Sequence, residues 1–223
     1  MDTANGEGRK ILAVWGILVL AGFAFVLWLN VPILRLADYV RSKDYNTYLA
    51  AADRAMKVDD ITTALQEVDR ALELAPPNAH LPYKVKGDIY CHFKKWEEAV
   101  AAYEKAMELG SPNEGVRLNA VWALVSLERY REAVALGQKA EREGVTHPGL
   151  IRSIAEAHRR AGNYEAAIPY YERAVEAYPE DLYLMDQLRQ AYARVKNDVG
   201  VATMQARIMR VQADMEAQQG ETP

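Results

Sequence analysis

The chain has 223 residues, half of them apolar and 26% charged, with a formal net charge of −4, which suits one or two domains and excludes a multidomain machine. Its 13 glycines and 9 prolines are near average usage and its charges are well mixed, so a disordered or collagen-like chain does not fit. The single cysteine, Cys91, excludes an intrachain disulfide and a cysteine-rich zinc site, so packing has to stabilise the core.

Residues 1–10 form a short polar tail, and residues 11–34 carry no charge. At about 1.5 Å of rise per residue these 24 residues cover the roughly 30 Å hydrocarbon core, which predicts one transmembrane helix. Trp15 and Trp28 stand near its ends, where indole rings favour the interface. Arg9 and Lys10 abut one end, and Arg35, Arg41 and Lys43 follow the other in a juxtamembrane linker, 35–44. A cleaved signal peptide is the competing reading, because two basic residues before an apolar run also suit one. The run exceeds the usual apolar region of about 7 to 15 residues, and cutting after Ala24 would leave its remainder on the mature terminus, which favours an uncleaved anchor. Ala13, Gly16 and Ala24 share one face of this helix, where another helix could approach closely, although chance placement in an alanine-rich span accounts for them equally well.

Beyond Asp44 the chain repeats with a period of 34: residues 45–78, 80–113, 114–147, 148–181 and 182–215, with Ala79 inserted. Small residues recur at the twentieth place, Ala64, Ala99, Ala133 and Ala167, and at the twenty-seventh, Ala71, Ala106, Ala140 and Ala174. Their spacing of seven puts each pair on one helix face. Bulky Ile61, Trp96, Tyr130 and Tyr164 recur at the seventeenth place, and Ala52, Gly87 and Ala155 at the eighth, interrupted by Val121. Pro76, Pro112, Pro148 and Pro179 fall near the boundaries, where proline separates one helix from the next, so each unit reads as a helix pair. Pro169 falls inside a second helix and is expected to bend it or mark its early turns. Residues 216–223 read as a flexible tail.

This pattern resembles the tetratricopeptide repeat family, most closely in the fourth unit, with Ala155, Gly162, Asn163, Tyr164, Ala167, Tyr171, Ala174 and Pro179. The second unit contributes Gly87, Tyr90, Trp96, Ala99, Tyr103 and Ala106. The fifth departs at Arg189, Val201, Gln205 and Ile208, so a true repeat and a capping helix pair both stand for 182–215. The resemblance implies an all-α fold, a right-handed superhelical solenoid of helix-turn-helix units, here preceded by the single transmembrane helix.

No chemistry of an enzyme is legible. His80, His92, His147 and His158 are scattered without metal-ligand spacing, and His158, at a place held elsewhere by Tyr90, Leu124 and Tyr192, reads as a packed, hydrogen-bonded histidine. Cys91 and His92 are adjacent, hence about 100 degrees apart on a helix and unsuited to act as nucleophile and base. There is no serine elbow and no phosphate loop, so neither a catalytic residue nor a cofactor or metal is expected. Residues 1–44 hold 5 basic and 4 acidic side chains, leaving 22 basic and 27 acidic beyond, a net −5 that makes nucleic acid an awkward ligand. Arg152, Arg159 and Arg160 share a helix with Glu156, either as a local basic patch or as a solvated charged face.

The resemblance further implies a concave groove lined by the first helix of each unit, where a protein segment lies. Carried over residue by residue, the lining is Leu49, Asp53 and Met56; Lys84, Asp88 and Cys91; Leu118, Trp122 and Val125; Arg152, Glu156 and Arg159; and Asp186 and Gln190. Trp122 is either an anchor for the partner or packed inside against the neighbouring unit. The carboxylate clamp of some family members is matched here at Lys84 and Asn119 but not at Asp88, Gly149 and Ser153, so a chaperone co-factor of that type is disfavoured. Two functions are expected: a membrane-anchored adaptor that recruits a protein partner, or a structural or assembly subunit of a larger membrane complex. The basic side chains flanking the span nearly cancel, and the resemblance to membrane-anchored bacterial proteins implies an inner-membrane location with the repeat domain exported.

Overall fold

The structure, a computed structural model, describes residues 45–220, and the expected tail, span and linker at 1–44 lie outside them. Ten helices follow one another among the described residues. Helix α1 covers 45–57 and α2 Ile61–Leu74; then come α3 Leu81–His92, α4 Trp96–Glu108, α5 Glu114–Ser126 and α6 Tyr130–Arg142. They continue as α7 Pro148–Arg160, α8 Tyr164–Ala177, α9 Leu182–Arg194 and α10 Asp198–Gly220. None of these helices is long and apolar enough to cross a membrane.

The starts are specified locally. Asp60, Asn113, His147 and Asp181 cap α2, α5, α7 and α9 by accepting backbone N–H groups of the first turn at 2.8–3.0 Å. The ends of the odd-numbered helices share one device. Asp59, Lys94, Glu128, Gly162 and Lys196 all adopt a left-handed conformation, with φ between 58° and 80°. The residue after each returns its N–H to the carbonyl five places back, as in Lys95 to Tyr90 at 2.8 Å and Asn163 to His158 at 2.9 Å. Each odd helix is thereby turned back onto the even helix that follows.

Burial explains the register of small residues. Ala64, Ala99, Ala133 and Ala167, and Ala71, Ala106, Ala140 and Ala174, are at most 1% exposed, so nothing larger fits where paired helices cross. Where a bulky ring arrives instead, the opposing residue shrinks: a Cβ on Gly87 would lie 2.5 Å from Tyr103 Cε1, and one on Gly200 2.5 Å from Tyr192 Cγ. The core runs through three adjoining clusters centred on Val68 and Ile89, on Val116 and Leu150, and on Tyr171 and Leu188. Helices α2 to α10 pack in sequence, and α5 also packs on both α3 and α7, so these three first helices form a row of the stack.

Three expectations need correction or refinement. Helix α10 continues to Gly220, so residues 216–220 belong to a helix rather than a tail, consistent with the alanines and glutamines of 201–219, a stretch free of glycine and proline. Pro169 stands exposed inside α8, which continues from Tyr164 to Ala177. His158 is packed but not hydrogen-bonded: its ring stacks on Tyr170 at 5.6 Å between centroids, and both ring nitrogens are buried without a partner.

Candidate binding groove

The inner face of α1, α3 and α5 encloses an open cleft of about 480 Å³. Helix register brings Met56, Lys84, Asp88, Cys91 and Trp122 to it, because residues three, four and seven apart share a helix face. Trp96, His92, Tyr103 and Asn119 complete the lining from other positions. Trp122 is 38% exposed on this surface, so it does not pack inside.

Asp88 is the polar centre of the cleft. Its carboxylate accepts from Lys84 Nζ at 2.5 Å, from the Tyr103 hydroxyl at 2.8 Å and from Asn119 Nδ2 at 3.2 Å. The two residues that matched a carboxylate clamp, Lys84 and Asn119, are thus both engaged by Asp88 and turned away from any incoming carboxylate. Burial and then the Asp88 charge push the Tyr103 phenol far above its ordinary range, so it remains a donor. Burial pushes the Cys91 thiol up, with the neighbouring Tyr103 hydroxyl opposing and the Asp88 charge adding. A protonated, half-buried thiol is a packing residue and not a nucleophile. At the cleft's rim His92 Nε2 meets Asp59 Oδ1 at 2.7 Å, tying the turn after α1 to the end of α3.

On α7 the corresponding acid is Glu156, only 6% exposed. It accepts from Arg159 Nε and Nη2 at 2.9 and 2.7 Å, from Arg160 Nε at 2.6 Å and from the Tyr171 hydroxyl at 2.7 Å. Burial alone would raise its pKa, but the hydrogen bonds from Arg159, Tyr171 and Arg160 hold it down at about 2. Arg159 and Arg160 are therefore not a freely solvated face. Arg152, one turn earlier, is exposed and makes no ion pair or hydrogen bond among the described residues.

The remaining groove candidates divide. Asp53, Leu118 and Asp186 are half-buried and Gln190 is exposed, with Asp186 accepting from Arg189 Nη2 at 2.5 Å and Gln190 Nε2 at 2.7 Å. Leu49 and Val125, expected in the groove, are instead core residues at 6% and 0% exposure. Both are apolar side chains at the margin of the inner stripe, where leaning between helices removes them from water. Tyr103 and Tyr171 escaped the sequence reading as groove residues, although each follows its acid by 15 places, a spacing that signals the pair. Among the described residues no group of three or more His, Cys, Asp or Glu side chains is placed to hold a metal ion.

Family models for tetratricopeptide repeats match residues 49–114 and 148–195. No curated protein matches the chain by sequence. Among solved structures, that of MamA superposes with a TM-score of 0.71 at 15% identity, covering 82% of this chain and 98% of that one. YrrB, described as a repeat protein of the same kind with an unusual peptide-binding site, gives 0.63 at 22% identity, covering 77% and 90%. PilF of Pseudomonas aeruginosa gives 0.65 at 14% identity, covering 77% and 78%. At these identities the likeness is one of fold.

Proposed function

Because the chain carries tetratricopeptide repeats, we propose that it is an adaptor that binds a segment of a protein partner along its inner groove while residues 11–34 hold it at a membrane. The observation that carries the binding role is Trp122, a large aromatic left 38% exposed in a cleft beside Trp96, Met56 and Cys91. Tryptophans set in such concave, partly desolvated places dominate the energetics of protein interfaces. The peptide-binding site in YrrB's description is in keeping with this use of the fold. The anchor rests on 24 uncharged residues, long enough for the bilayer core, and an exported repeat domain at a bacterial inner membrane is the orientation adopted.

The test is co-purification from membranes with the full-length chain. Trp122→Ala should lose the partner with an unchanged circular dichroism spectrum, and retention of the partner overturns the groove. A C-terminal reporter active only outside the cytoplasm tests the orientation. A second reading is a permanent subunit of a membrane complex, in which the helical spacing of Ala13, Gly16 and Ala24 would let the span pack against other subunits. A large assembly that survives mild detergent on a blue-native gel supports that reading; a monomer or dimer supports the adaptor.

A further inference from the structure

We propose that the segment bound in the groove is acidic: its carboxylates are received by Arg152 and Arg159 on α7, and a neighbouring apolar side chain packs on Trp122 of α5. This rests on the groove reading above and adds the chemistry of the ligand.

Arg152, Glu156, Arg159 and Arg160 are spaced by four, three and one, which places them on one side of α7 over two turns. A single carboxylate answers three guanidiniums there, and it is already saturated. Glu156 takes two N–H groups from Arg159 and one from Arg160 and has the Tyr171 hydroxyl besides, while Arg152 has no partner among the described residues. The face therefore carries a local excess of two positive charges, although the chain beyond residue 44 is net negative. No neighbouring acid cancels it: Asp88 is held by Lys84 on α3, and Asp186 is held by Arg189 and Gln190 on α9. Guanidiniums fork onto carboxylates with paired hydrogen bonds, and Arg159 is already fixed by Glu156 through Nε and Nη2, with its side chain 24% exposed and Nη1 not engaged by Glu156.

The neighbouring helix supplies the apolar part. Trp122 occupies on α5 the place that Glu156 occupies on α7, and α5 and α7 pack side by side, so Trp122 sits level with the interval between Arg152 and Arg159. Nucleic acid would also answer arginine beside an aromatic, but a polyphosphate needs a run of cations along its path, and here Glu156 lies among the arginines of an acidic domain. A short acidic segment needs only the local patch.

The experiment uses the full-length chain in mild detergent and three fluorescein-labelled peptides, each with a central phenylalanine flanked by glutamates, glutamines or lysines, read by fluorescence anisotropy. The glutamate peptide should bind about fivefold more tightly than the glutamine peptide at low salt, with the gap closing as salt is raised. Arg152→Glu, at an exposed position outside the core, should weaken the glutamate peptide about fivefold and leave the glutamine peptide unchanged. Trp122→Ala should weaken both. Equal binding of all three peptides, preference for lysine, failure of all to bind, indifference to Arg152→Glu, or displacement by oligothymidylate each overturns the acidic-segment inference. The groove reading survives a wrong charge preference as long as Trp122→Ala still weakens the bound peptide, and falls if that variant changes nothing.

Discussion

The second and fourth helix pairs carry the same brace in different surroundings. Asp88 receives the Tyr103 hydroxyl at 2.8 Å and Glu156 receives Tyr171 at 2.7 Å, acid and phenol standing 15 residues apart in both. Around Asp88 the side chain is 23% exposed, and one of its donors, Asn119, comes from the next helix pair. Around Glu156 the side chain is 8% exposed, and both guanidiniums come from its own helix. One brace joins two units at an open cleft; the other locks a single unit shut. Between them the third pair has Trp122 and Gly137 at the two corresponding places, with Ile154 filling the space over Gly137, where a Cβ would meet its Cγ1 at 2.5 Å. The aromatic ring has moved from the second helix to the first, out of the core and onto the groove.

If burial is what separates the two braces, breaking them must cost different amounts. Glu156→Gln should destabilise by about 3 kcal/mol at neutral pH, since the carboxylate pKa falls from 4.5 to about 2 on folding. The depressed pKa fixes the sign: this stability is present above pH 4.5 and is lost as pH falls toward 2, so the difference between wild type and variant should vanish over that window. Asp88→Asn should cost about 1 kcal/mol, as expected for a hydrogen-bonded acid that keeps partial contact with solvent. Urea denaturation at several pH values measures both, and equal costs would break the comparison.

The tyrosines also sit at different distances from the helix they face. Gly87 is required because a Cβ there would meet Tyr103 at 2.5 Å, whereas the fourth pair keeps Ala155 at the same place. Gly87→Ala should therefore cost about 2 kcal/mol by overpacking. Ala155→Gly should cost about 1 kcal/mol, mainly through helix propensity. Melting temperatures of the two variants give the order.

A smaller effect belongs to the fourth pair alone. Burial lowers the pKa of His158, which stacks on Tyr170, whose hydroxyl accepts from Gln138 Nε2 at 3.2 Å and whose ring lies under Arg173, itself paired with Glu141. A histidine held neutral by folding contributes stability that is present above its ordinary pKa of 6.5 and is lost as pH falls below it. His158→Leu, the residue type at Leu124, should remove the part of the stability loss that begins near pH 6.5 and leave stability at higher pH nearly unchanged. An identical pH profile in the variant would show that the ring reaches solvent.

Much of this was legible in the residues, for reasons that differ by position. The alanines at the helix crossings could be read because complete burial allows few other side chains, and period plus size was then enough. Met56, Lys84, Asp88, Cys91 and Trp122 could be placed by the resemblance to the repeat family, which implies a groove lined at set places of each first helix. Tyr103 and Asn119 reach the Asp88 carboxylate from other helices, which register along α3 alone does not report. Leu49 and Val125 share their register with polar groove residues, but their chemistry takes them into the core. His158 keeps the packing of Tyr90 and Tyr192 without finding a hydrogen bond for either nitrogen.

The turns after the odd helices were the least legible feature, and they support the smallest predictions. Only Gly162 announces a left-handed residue; Asp59, Lys94, Glu128 and Lys196 adopt the same conformation with side chains that resist it. Glu128→Gly should stabilise the chain by about 0.5 kcal/mol, the relief of strain being partly offset by the entropy glycine brings to the unfolded state. Gly162→Lys should cost about 1 kcal/mol and bring the fourth pair level with the second and fifth. Asp59→Gly should fall between and change little, because the same relief removes the carboxylate that meets His92 at 2.7 Å across the first and second pairs. Urea midpoints that rank Glu128→Gly above Asp59→Gly would show that the Asp59 side chain holds those pairs together; the reverse ranking would reduce it to a strained turn residue like the others.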